Sequence, residues 1–327
     1  PRDSRSVSDT VTIVSRPVRA GSLAPRRRHR RGLPLSALLG LLVPFLVLFL
    51  LAYVLPLLYA LQESFFTQKR SGLGLGGGER VFAGIANYVQ ALQTPEFTAG
   101  IGRVLLFGVV QVPIMLGAAL LLALIFDAVT TRWTSLVRLM TFLPYAVPGV
   151  IAAILWAFLY LPGTSPFAGA LSAFGIQVDF LGDDTVLWSI ANIVTWTWTG
   201  YNMIIIFSAL KSIPSELYEA AAMDGASPAR IAWSIKVPLV MPAISLTGVF
   251  SIIGTIQLYN EPMILKPFTS AIDAGYTPNM AVQNIGFTFN DYGLAAAMAI
   301  ILALGTFVLS FFFSRLTGGQ TKSGGAR

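Results

Sequence analysis

Two short runs of this sequence carry side chains able to hold a ligand. Trp198, Gly200, Tyr201 and Asn202 lie in one apolar segment, and Gln257, Tyr259, Asn260 and Glu261 lie in the next. Amides beside Trp and Tyr rings bind rather than break bonds: the amide exchanges hydrogen bonds, and the ring offers a flat apolar face for a sugar to stack on. Thr195, Trp198 and Asn202 share one helical face, and Gln257 to Glu261 would span one helical turn. The competing reading of each residue is hydrogen-bonded glue between helices, with no ligand. For the cluster as a whole a pathway is the better reading. An ionised Glu261 at mid-bilayer would cost about 2.5–3.5 kcal/mol, so it should sit near the outer end or line water.

Bond-making chemistry is absent from the spans. None presents a nucleophile with a base or a His/carboxylate metal set, and the chain has no G-x-x-x-x-G-K-[ST] phosphate loop. With no Cys, disulfides and thiolate-bound metals are excluded. The one His, His29, stands in an arginine run and reads as a solvated tail residue. Gly72, Gly74 and Gly77 form a formal G-x-G-x-x-G, but no buried strand precedes it, so it reads as a flexible loop.

A second kind of chemistry, docking, is written in the polar stretch 211–238. Pro214 suits a first helical turn, Glu216 and Glu219 complement a helix N-terminus, and Ala220, Ala221 and Ala222 propagate the helix past Leu217. Met223 and Asp224 lead to Gly225, which can take the left-handed conformation that ends it. Ser227-Pro228 reads as the N-cap and first residue of a second short helix, running towards Ile235 and Lys236 until Pro238 stops it. The result is a helix-turn-helix knob too polar for lipid.

The elements that must position these residues are membrane helices. Of 327 residues 55% are hydrophobic and 11% charged, with a mean hydropathy of +0.71; a soluble domain carries roughly 25% charge. Apolar runs at Leu33–Leu61, Ile101–Phe126, Leu136–Leu161, Val186–Leu210, Ile244–Leu265 and Leu294–Phe313 are each long enough to cross. The fold class is therefore an all-α integral membrane protein of six transmembrane helices. Residues 1–32 form a disordered basic tail, residues 33–315 the six-helix transmembrane domain, and residues 316–327 a C-terminal tail. The first run is too long for a signal core and has no clear small-x-small cleavage site after it. The chain opens at Pro1 rather than Met, which leaves room for residues upstream.

Charge sets the orientation. The Arg-rich tail, Arg132, Arg138, Lys211, Arg230, Lys236, Arg315, Lys322 and Arg327 would share one side, against Lys69, Arg70, Arg80, Arg103 and Lys266 on the other. The positive-inside rule puts both termini and the Glu219 knob in the cytoplasm. A pI near 9.8 does not indicate nucleic acid, because the charge is concentrated in the tail. On the outer side, Phe82 to Phe97 reads as an amphipathic surface helix anchored by Tyr88 and Phe97. Pro144, Pro148 and Gly149 mark a bend in the third crossing, and Pro162 to Thr185 reads as an outer loop with a short helix.

The order Glu219-Ala220-Ala221, Gly225, Ile235, Pro238, with Val237 where Leu is usual, resembles the signature cytoplasmic loop of ABC importer permeases. The Phe82-x-Gly84-x-x-Asn87-Tyr88, Trp198-x-Gly200-Tyr201-Asn202-Met203 and Tyr292-to-Ala297 runs look like carbohydrate permeases of the maltose and glycerol-3-phosphate type. The resemblance covers nearly everything from Leu33 to Arg315. It implies an inner-membrane permease subunit without enzyme activity or a cofactor of its own, with Glu219 to Gly225 seated in a cleft of an ATPase. The partners it implies are a second homologous permease as heterodimer, two ATPase subunits that bind ATP and Mg, an extracytoplasmic solute-binding protein and a sugar, in a lipid bilayer. The alternative class is an ion-coupled secondary transporter or channel. That would need acidic groups deep in the spans or paired broken helices, and Glu261 is the single acidic candidate.

Overall fold

A computed structural model describes residues 35–69, 79–129, 131 and 133–318. The tail expected over 1–32, the Gly72–Gly78 run and residues 319–327 lie outside that set. The chain divides into two compact units, Pro1–Leu55 and Pro56–Arg327. In the first, α1 (Leu35–Phe49) gives way to a π turn at Leu50–Val54. Uncharged Leu, Val and Phe propagate this helix, and Phe45, Phe49 and Tyr53 stack along its flank at centroid distances of 6.1 and 5.6 Å. Phe45, Leu48 and Leu51 are among its exposed apolar side chains.

The second unit starts in α2 (Leu55–Glu63) and passes through an antiparallel pair, β1 (Phe66–Lys69) and β2 (Glu79–Phe82), with Phe66 opposite Phe82. There follow α3 (Ala86–Gln93), α4 (Pro95–Ala128), α5 (Thr134–Ala146), α6 (Gly149–Tyr160), α7 (Pro166–Ser172) and α8 (Val186–Lys211). Next come α9 (Glu216–Met223), α10 (Pro228–Ile231), a π turn at Ala232–Lys236, α11 (Val237–Ile256) and α12 (Asn260–Leu265). A 3-10 turn at Lys266–Phe268, α13 (Pro278–Gln283), a π turn at Asn284–Thr288 and α14 (Tyr292–Gly318) complete it.

Five segments are long and apolar enough to cross a membrane: Leu42–Glu63, Pro95–Ala128, Val186–Lys211, Pro228–Phe268 and Tyr292–Thr317. A sixth crossing exists if α5 and α6 are one broken span, since they bend by 95°. Six spans were expected, but not as six simple rods. Val147, preceding Pro148, is pushed to an extended conformation (its ψ is 126°), which stops α5, and Pro148 has no N–H to continue the ladder. The proline bend is real and far sharper than a kink.

Three further expectations change. Pro95 is the first residue of α4, and Phe97 is fully buried, so the second span starts before Ile101 and Phe97 is no surface anchor. Tyr88 is no anchor either: its hydroxyl hydrogen-bonds Ser64 Oγ at 2.6 Å, while Asn87 donates to Ser64 O and Phe66 O at 2.9 and 2.8 Å. That aromatic-Asn sequence ties α3 to β1. At the other end, α14 continues to Gly318, so residues 316–318 are helix and not tail.

The core lies between α4 and α8, which pack along their lengths with α11 beside both. Phe107, Ile190, Ile193, Leu265 and Met280 fill one end; Ala119, Ala123, Met203, Ile206 and Val240 fill the end next to α9. Small alanines on α4 let α8 approach closely, the usual packing where helices gain nothing by hiding from lipid.

Candidate functional site

The two runs singled out in the sequence meet around one cavity of about 340 Å³. From α8 come Trp198, Tyr201 and Asn202; from the chain after α11 come Gln257, Tyr259, Asn260 and Glu261; and α4 adds Phe107, Gln111 and Met115. Seven of the eight expected pathway residues are thus brought together. Gly200 is not. A Cβ there would come within 2.2 Å of Thr141 O, so Gly200 is the point where α8 crosses α5, and it serves packing.

The Gln257–Glu261 segment departs from the single turn expected. α11 ends at Ile256, and Tyr259 (φ −147°, ψ −50°) precedes a new helix at Asn260. Pro262 gives the reason. In an unbroken span its ring would clash with the Leu258 carbonyl and remove a hydrogen bond; in α12 it falls in the first turn, where proline is tolerated. The break therefore lies beside the cavity, a setting in which irregular chain is tolerated at membrane depth.

The buried polar network is specific. Asn202, 2% exposed, donates to Trp198 O at 3.0 Å and lies 3.7 Å from Met115 Sδ. Gln111, also 2% exposed, donates to Thr195 Oγ1 at 3.2 Å, while its Oε1 is buried with no partner among the described residues. Such an atom forgoes about 1–3 kcal/mol unless water or ligand reaches it. Trp198 and Tyr201 form an aromatic corner with Tyr145 of α5: Tyr145 stacks on Tyr201 at 4.7 Å and meets Trp198 edge-on at 5.3 Å. No Lys, Arg or His lines the cavity among the described residues, and Glu261 is its one carboxylate.

Sequence reasoning missed Gln111 and Tyr145. Gln111 was visible as the one amide in an otherwise apolar span; Tyr145 gave no signal, because its place depends on the 95° bend that follows it.

The knob forms largely as its residues dictate. Gly225 takes φ +80°, Ala226 N–H reaches back to Ala221 O at 2.9 Å, and Ser227 Oγ accepts from Arg230 N–H at 3.3 Å. Glu219, Ala220, Asp224 and Gly225 are exposed and Ala221 half-buried, with Met223 90% exposed at the tip. Pro238, however, does not stop the second helix. α10 runs through the π turn at Ala232–Lys236 directly into α11, with Val237 N–H bonded to Ala232 O. That wide turn places Pro238 in the first turn of α11, where its missing N–H costs little. Ile235 is half-buried within the turn.

Apolar spans around a polar, aromatic-cornered cavity, with an exposed helical knob at one end, are the architecture of a membrane permease component. The model of the binding-protein-dependent transport system inner membrane component family matches residues 115–319, and the chain belongs to that family. It is 33% identical over 263 residues to the lactose transport system permease protein LacF of Rhizobium radiobacter, covering 78% of this chain and 86% of that one. It is 30% identical over 286 residues to the sn-glycerol-3-phosphate transport system permease protein UgpA of Brucella abortus biovar 1 (strain 9-941), covering 84% and 94%. Among solved structures, a bacterial alginate ABC transporter in complex with alginate pentasaccharide-bound periplasmic protein matches with a TM-score of 0.73. At 22% identity, over 86% of this chain and 94% of that one, it shows a shared fold.

Proposed function

We propose that this chain forms half of the translocation pathway of an ATP-driven importer for a neutral sugar. One observation carries the reading: amides and the Trp198 and Tyr201 rings line a cavity with no cationic side chain among the described residues, next to a half-buried carboxylate. A polyol can exchange hydrogen bonds with Asn202, Gln257 and Asn260 and stack on Trp198, whereas an anion would meet Glu261 with nothing to neutralise it. Lactose, named for one relative, fits this chemistry better than glycerol-3-phosphate, named for another.

Transport follows by alternating access. The Glu219–Gly225 knob docks in a cleft of a separate ATPase subunit, with Ala220, Ala221, Asp224, Ile235 and Pro238 shaping its fit. ATP and Mg are held by two such subunits, and their closure draws this knob towards that of a second, related permease. The cavity then opens outward to receive sugar from the binding protein, and hydrolysis returns it. Both termini and the knob lie in the cytoplasm, as the positive-inside rule requires.

Co-purification from native membrane with mass identification of each bound chain tests this. Recovery of an ATPase, a second permease and a solute-binding protein is expected. A chain that purifies alone and moves sugar without ATP contradicts it.

A further inference from the structure

Both roots of the knob converge on one carboxylate that the function above has not used. Asp127 is the penultimate residue of α4, and its side chain is 7% exposed. Its Oδ1 pairs with Lys211 Nζ at 2.7 Å and its Oδ2 with Lys236 Nζ at 2.5 Å. Lys211 is the last residue of α8, where the chain leaves for the knob; Lys236 ends the π turn by which it returns. Lys236 Nζ also lies 4.6 Å from the centroid of the Tyr218 ring on α9, fastening the knob itself to the same cluster.

We propose that Asp127 is a positioning residue that makes the knob, α8, α11 and α4 move as one body, so that displacement of the knob reaches the sugar cavity. The proposal rests on the coupling reading above. A chain joined to its spans by two flexible roots would swing at the knob and leave the cavity still. Here each root is held by a charge-assisted bond to the same buried group, and losing either partner leaves that carboxylate poorly compensated. The three tied helices are those that supply the cavity: α4 carries Gln111, α8 carries Trp198 and Asn202, and α11 runs to the break before Asn260. Gln111 and Asp127 are roughly 24 Å apart along the axis at 1.5 Å per residue, so the single helix α4, with Pro113 inside it, spans the distance from ion cluster to cavity. Lys236 is 15% exposed and Lys211 51%, which makes Lys236 the stronger tether.

The test uses the complete importer in proteoliposomes, with radiolabelled lactose or whichever neutral oligosaccharide of a panel the wild type takes up. Sugar uptake and ATP hydrolysis are measured together. Lys236→Met should lower uptake at least tenfold while hydrolysis falls no more than twofold, so that sugar moved per ATP drops at least fivefold. Lys236→Arg should stay within twofold of wild type, and Lys211→Met should have the smaller effect of the two methionine variants. An unchanged ratio in Lys236→Met, whether both rates hold or both fall together, overturns the proposal. Should that variant fail to assemble, Asp127→Asn with Lys236→Met removes charge and partner at once; a wild-type ratio in that assembled pair overturns it equally. Glu219→Lys, run in parallel, separates the two claims. If it transports normally the coupling reading fails, whereas a dead Glu219→Lys beside an unchanged Lys236→Met ratio removes only the role of Asp127.

Discussion

The knob and the cavity belong to one chain and are built by opposite rules. In the knob, local chemistry sets the turn: a glycine at positive φ, a serine cap and a proline at a first helical position specify it without help from distant residues. In the cavity, nearby residues set only the break or crossing of a single helix, and the arrangement comes from how distant helices pack. Gln111, Trp198 and Asn260 come from three helices, with Tyr145 of a fourth packed on Trp198, and they meet because Gly200 lets α8 touch α5 and Pro262 breaks the fifth span. A surface knob can be specified by its own short sequence, whereas a cavity needs helices brought together from distant parts of the chain.

That contrast can be broken most forcefully at the knob. Glu219→Lys should reduce uptake to background and release the ATPase subunits on purification while membrane insertion stays normal; retained subunits with normal uptake would remove the docking role. Gly200→Val is the next largest effect, and should act without regard to substrate. The added side chain must displace the Thr141 carbonyl, an overpacking of about 1–3 kcal/mol, so thermal melting of the purified permease should fall by several degrees. If sugar recognition changes while melting does not, Gly200 belongs to the cavity after all.

Smaller effects sharpen the cavity side. Asn260→Leu and Asn202→Leu should each spare assembly and weaken sugar-stimulated ATP hydrolysis about tenfold, the loss expected of one hydrogen bond worth about 1.4 kcal/mol. Normal transport in both would remove the cavity assignment. Tyr145→Ala should cost least, about two- to threefold, the low end of the roughly 0.5–1.5 kcal/mol that an aromatic pair adds beyond its buried area. An effect larger than that of Asn260→Leu would mean that Tyr145 itself touches sugar.

What was legible in the sequence follows the same division. Helix starts and stops near Gly225 and Ser227 obey rules that span four residues, and they appear where the residues placed them. Pro238 was misjudged because a π turn five residues long absorbed it, and such turns leave no compositional trace. The span break at Tyr259 was in principle readable from Pro262, yet the apolar run continued past it and hid the interruption. Asp127 could not be singled out from sequence, since its partner Lys236 is 109 positions away and an acidic residue at the end of a span looks like any surface charge.

The central claim is that one exposed knob joins this permease to an ATPase. Because the chain has no cysteine, a single Ala220→Cys gives one unambiguous reactive site. Cross-linking that variant in native membrane, followed by mass identification of the adduct, should yield this chain joined to an ATPase subunit. An adduct without an ATPase, or a knob that stays unlinked in membranes that import sugar, would contradict it.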